Sequence, residues 1–109
     1  MAEEKLSIVL VTAPSQEIAN QLAHGLVVER LAACVNVVPG VMSTYMWEGN
    51  LERAEETLMI IKTRSSCYAE LEKHIHAHHP YDTPEIVEIP TGQVTQKYLQ
   101  WVMRETTNG

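Results

Sequence analysis

Four of the five histidines fall in the run LEKHIHAHHPYDTPEIVEIP, residues 71–90. They are His74, His76, His78 and His79, and Tyr81, Asp82 and Glu85 follow them closely. Imidazole nitrogen and carboxylate oxygen are the usual donor mix for divalent transition metals. The cluster contains no fixed motif such as H-E-x-x-H. The same histidines also suit the last turn of a helix, where the dipole favours them and they can cap free carbonyls. Both readings stay open on the residues alone.

Three elements must position this chemistry. A helical pattern starts near Ser66 and must stop near His79, because Pro80 disfavours the helical region for the residue before it. Thr83-Pro84 sets an extended entry, and Glu85 to Ile89 alternates like a strand. Leu71, Ile75 and His78 recur at i, i+4 and i+7, which predicts His78 on the buried stripe. His76 falls on the opposite face and His79 near the stripe's edge. Histidines and carboxylates thus meet where a helix hands over to a strand.

The 109 residues fit one domain, 1–109, with 45% hydrophobic and 20% charged residues, an ordinary globular composition. The net charge of -6 argues against nucleic acid, which needs a basic footprint. The eight Lys and Arg form no run, so a polybasic membrane patch is absent. No apolar stretch approaches the ~18 residues that span a bilayer. The opening MAEEKLS is acidic and polar, unlike a secretory or transit leader, so the expectation is the cytoplasm. Cys34 and Cys67 form no C-x-x-C pair and read as reduced thiols, Cys34 as a core residue.

Leu6 to Val11 is a branched apolar run suited to a central strand. Ser15 can cap a helix whose buried stripe is Ile18, Leu22 and Leu26, with Ala19 and Ala23 beside it, ending near Arg30. An extended region begins at Ala33, bends at Pro39-Gly40, turns at Glu48-Gly49-Asn50 and returns from about Arg53 to Thr63. Each arm is ~10 residues or more, against ~5–6 for a typical strand. Such arms leave Val41, Met42, Tyr45, Met46 and Trp47 exposed in a lone chain, which predicts subunit contacts there. Ser65 or Ser66 is expected to cap the second helix. A last helix spans Val94 to Glu105, and the tail from Thr106 is expected to fray. Carboxylate pairs such as Glu55-Glu56 read as a solvated strand end.

The order is βαββαβ plus a terminal helix: an α+β, ferredoxin-like sandwich with an extended hairpin between its second and third strands. One sheet face lacks a cover, which the final helix or neighbouring subunits would supply. The glycines form no phosphate loop and no nucleophile elbow is present, so no catalytic role can be assigned and no enzyme is expected.

Thr12-Ala13-Pro14, Arg30 to Asn36, Pro39-Gly40, Tyr45 to Gly49, Ile61-Lys62-Thr63 and above all His78 to Ile86 (HHPYDTPEI) resemble the divalent-cation tolerance (CutA) family. The likeness runs from about Ile8 to Arg104. It implies a ferredoxin-like subunit in a homotrimer, with Val41, Tyr45 and Trp47 at the trimer interface, and binding of divalent metal ions, copper (Cu2+) among them. The metal positions it implies are His78, His79 and Glu85. A fourth, a cysteine in some relatives, is Val11 here, and valine binds no metal, which disfavours the softer Cu(I). The family's trimers are also similar to trimeric nitrogen-signalling proteins. That analogy of fold implies an alternative, a small molecule or partner protein in a cleft between subunits lined by Tyr81, Thr83 and Trp101.

Overall fold

The computed structural model describes residues 4–107. Strand β1 (Leu6–Ala13) leads into helix α1 (Gln16–Val28), then β2 (Cys34–Trp47) and β3 (Asn50–Arg64). A single 3-10 turn (Ser65–Cys67), α2 (Tyr68–His78), β4 (Ile86–Pro90) and α3 (Gln96–Glu105) complete the chain. The sheet order is β2-β3-β1-β4, all antiparallel, which is the ferredoxin-like topology expected. The proline-bounded β4 lies at an edge, where the missing ladder donor costs least.

Alternation along β1 sorts the core. Val9, Val11 and Ala13 meet Ala19, Leu22 and Leu26 of α1 and Leu71 and Ile75 of α2, so both helices cover this face. Leu6 and Ile8 point the other way and meet Ala33, Val94, Leu99, Trp101 and Val102, so α3 covers only one end of the opposite face. The rest of that face carries Val38, Leu10, Leu58, Ile60 and Val87, aligned by strand register and half-buried or exposed.

Local chemistry explains the boundaries. Ser15 caps α1, its Oγ accepting from the Ile18 N–H at 3.2 Å. The predicted bend falls between Val38 and Val41, where the register shifts at Gly40, whose φ is 81°. The hairpin turns on Glu48 and Gly49, with φ of 50° and 82°, the two positive values a tight primed turn requires.

Several expectations need correction. Neither Ser65 nor Ser66 caps α2, because the 3-10 turn intervenes. Ser65 Oγ instead joins Ser7 Oγ (2.7 Å) and the Lys5 carbonyl (3.0 Å), and Ser66 donates to Glu4. Cys34 is only half-buried on the α3 side of β2; the buried cysteine is Cys67. Thr106 does not fray: it is buried, its hydroxyl donates to the Val102 carbonyl at 2.7 Å, and Arg64 donates to its carbonyl at 3.0 Å. Thr107 N–H donates to the Arg30 carbonyl at 3.0 Å. Residues 108–109 of that expected tail, and residues 1–3 of the acidic start, lie outside the described residues.

Candidate functional site

His78 is the last residue of α2 and does not point inward. Leu71 and Ile75 are fully buried, but the helix ends one turn later, past the edge of the core, and His78 is exposed. Helical side chains lean toward the N-terminus, and His78 lies back over His74, ring centroids 4.3 Å apart, its Nδ1 2.7 Å from the His74 carbonyl. A carbonyl only accepts, so Nδ1 is the donor of this bond.

His79 makes the inward turn instead. It leaves the helix with ψ 137°, and the residue is only 7% exposed. Nε2 donates to the Thr12 carbonyl at 2.8 Å, and Nδ1 accepts the Tyr81 N–H at 3.1 Å. Both ring nitrogens are therefore committed. His79 ties the end of α2 to β1 and fixes Tyr81, whose ring lies 4.8 Å from its own.

Tyr81 in turn donates to Glu56 Oε2 at 3.2 Å. Glu56 was expected on a solvated strand end, yet it is 8% exposed. It lies on the same strand face as Leu58 and Ile60, so period-2 continuation was the signal that could have found it. Burial first, then the Glu56 carboxylate, raise the Tyr81 phenol above its ordinary 10.0.

These residues wall a cleft of about 640 Å³ between the hairpin and the 80–85 connector. Its aromatic walls are Tyr45, Trp47 and Tyr81, and its carboxylates are Glu52, Glu56, Asp82 and Glu85, with Thr12 and Thr83 between them. None of its lining residues is a Lys, Arg or His. Tyr81 and Thr83 line this cleft within one chain. Trp101 does not line the cleft; it packs on α3 with the Leu6, Ala33 and Val102 cluster, 5.6 Å from the Tyr98 ring. Among the described residues no three His, Cys, Asp or Glu side chains converge to hold a metal, so His78, His79 and Glu85 are not gathered into one ligand set within a chain.

A second histidine arrangement was not foreseen. His74 packs on Gly25 of α1, where a Cβ would lie 2.9 Å from its Nε2. A glycine inside a helix normally costs about 1 kcal/mol relative to alanine; here it makes room for an imidazole. Burial first, then the neighbouring His78, hold His74 below its ordinary 6.5, against an opposing pull from Glu29.

Fold and cleft together define a ferredoxin-like α+β domain with a long hairpin and an acidic, aromatic-walled cleft beside it. The family model described as CutA1 divalent ion tolerance protein matches residues 7–105. The chain is 45% identical over 100 residues to the divalent-cation tolerance protein CutA of Thermus thermophilus, covering 92% of this chain and 96% of that protein. It is 46% identical over 101 residues to the chloroplastic CutA of Arabidopsis thaliana, spanning 93% of this chain but only 56% of that longer protein. The crystal structure of CutA1 from Oryza sativa superposes with a TM-score of 0.94 at 42% identity, over 96% of each chain. The chain belongs to the CutA1 divalent ion tolerance family.

Proposed function

We propose that the chain acts in divalent-cation tolerance by binding divalent cations, as a homotrimer in the cytoplasm and without a catalytic step. The observation that carries this is the cleft, whose lining holds four carboxylates and no Lys, Arg or His. One of them, Glu56, is buried and oriented by the Tyr81 hydroxyl. Oxygen donors of this kind suit divalent cations, and the net charge of -6 adds a diffuse attraction. His79 contributes by holding Tyr81 rather than by offering a nitrogen. Of the donors expected for Cu2+, His78 and Glu85 remain exposed and open.

The trimer reading is supported by the uncovered sheet face and by Met42, Tyr45, Met46, Trp47 and Leu51, all exposed on the hairpin, with Val41 half-buried beside them. The cytoplasmic reading is supported by two free cysteines, the usage of a reducing compartment. The aromatic walls favour a second reading, an organic ligand in the same cleft, which native mass spectrometry of the purified protein would reveal as a bound mass.

Calorimetric titration with Mn2+ and Cu2+ tests the first reading. Glu56→Gln and Glu85→Gln are expected to weaken Mn2+ binding severalfold. Unchanged binding in both variants would remove the cleft as the cation site.

A further inference from the structure

We propose that the cleft beside the hairpin takes a linear aliphatic polyamine, its ammonium groups on the carboxylates and its methylene stem along the aromatic walls. The inference deepens the organic-ligand reading of that cleft and rests on it, not on the metal reading. Its starting point is Glu56, which lines the cleft yet is only 8% exposed. Glu56 Oε2 accepts from the Tyr81 hydroxyl at 3.2 Å, a neutral donor. Among the described residues Oε1 accepts no hydrogen bond, and the ion pairs, Arg64 with Glu4 and Lys73 with Glu70, lie elsewhere.

A carboxylate held this far out of water ordinarily has a cation beside it, because the lost hydration must be replaced. The cleft supplies none from its own lining, which holds no Lys, Arg or His. The cation that completes Glu56 therefore comes from a ligand.

Three features choose the class of cation. The carboxylates are not gathered: among the described residues no three His, Cys, Asp or Glu side chains converge as a metal site needs. Charge spread along a cleft suits a ligand that carries its positive charge in more than one place. The space is about 640 Å³, the size of a small-molecule site and far more than one ion fills. Tyr45, Trp47 and Tyr81 give it aromatic faces, which attract an ammonium group and pack against the methylenes beside it. The open Oε1 of Glu56 then decides between kinds of ammonium. It calls for an N–H donor, which a protonated amine has and a quaternary ammonium lacks.

The test is calorimetric titration of the assembled native protein with putrescine and with its fully N-methylated analogue, which keeps both charges and the stem but has no N–H. Putrescine should bind saturably, and the methylated analogue at least about tenfold more weakly, the scale of a lost charge-assisted hydrogen bond. Glu56→Gln keeps the shape of the side chain and should weaken putrescine binding by at least about tenfold as well. Glu17→Gln removes the same charge from an exposed position on α1 outside the cleft lining and should leave the affinity unchanged. Equal affinity for the two ligands would overturn the inference, and that comparison needs no variant. Unchanged binding in Glu56→Gln would also overturn it. So would a loss in Glu17→Gln equal to that in Glu56→Gln, since the attraction would then be the diffuse pull of the net charge of -6. A native protein that binds no putrescine but carries another organic mass overturns the inference and keeps the organic-ligand reading, whereas one with neither loses both.

Discussion

His79 is the residue on which the helix-to-strand junction turns. It bonds a strand carbonyl with one nitrogen and the connector backbone with the other. His79→Ala leaves the Thr12 carbonyl without its partner in a buried place, a loss of about 1–3 kcal/mol. Urea unfolding should show that loss, whereas His78→Ala should leave the midpoint nearly unchanged. Tyr81 supplies a second check. Its raised pKa means the fold favours the neutral phenol, so the stabilisation is present below pH 10 and is lost as pH rises through the folded value. Burial above all also raises Tyr68 and Tyr98. Absorbance titration at alkaline pH should therefore show three late phenols, and two in Tyr81→Phe. The histidine cluster itself was legible in the sequence, since Pro80 fixed where the helix must end. Which histidine turned inward was not. Helical phase favoured His78, but phase holds only while the helix lasts, and the chain leaves it at His79.

At the scale of elements, α1 and α2 meet where Gly25 faces His74. Replacing a helix-interior glycine with alanine ordinarily adds about 1 kcal/mol. Here the new Cβ must push the imidazole aside, so Gly25→Ala should gain less than that. In a His74→Ala background the full gain should return, and a double-mutant cycle on unfolding free energy measures the difference. The end of α3 depends on Arg64, which donates to the Met103 carbonyl and to both the hydroxyl and the carbonyl of Thr106. Hydrogen bonds from a charged donor contribute about 1.5–3 kcal/mol. Arg64→Leu should destabilise the protein by about that much and speed hydrogen exchange in residues 102–107. The strands, α1 and the bulge at Gly40 were all readable from alternation, capping and glycine. The tether on α3 was not, because it joins residues roughly forty positions apart, and no local pattern encodes such a contact.

At the scale of the molecule, the chain is longer than a domain of its size should be. Its extents are 47 × 26 × 23 Å and its radius of gyration is 14.5 Å. A compact domain of about this length would have a radius near 13 Å. The excess is the hairpin, which carries Met46 at 63% and Leu51 at 68% exposure with no cover of its own. Behind it lies the sheet face that α3 covers only at one end. Two different uncovered apolar surfaces on one chain are what a head-to-tail contact needs, and such contacts close into a ring when the rotation between copies closes. A trimer of the 12.3 kDa chain should appear in light scattering at about 37 kDa. Trp47→Glu, placed on the exposed hairpin and outside the core clusters, should shift that mass toward the single chain while leaving the helical circular dichroism in place. A native protein that ran as a single chain at micromolar concentration would remove the trimer. It would leave the cleft standing, because its lining comes from the side chains of one chain.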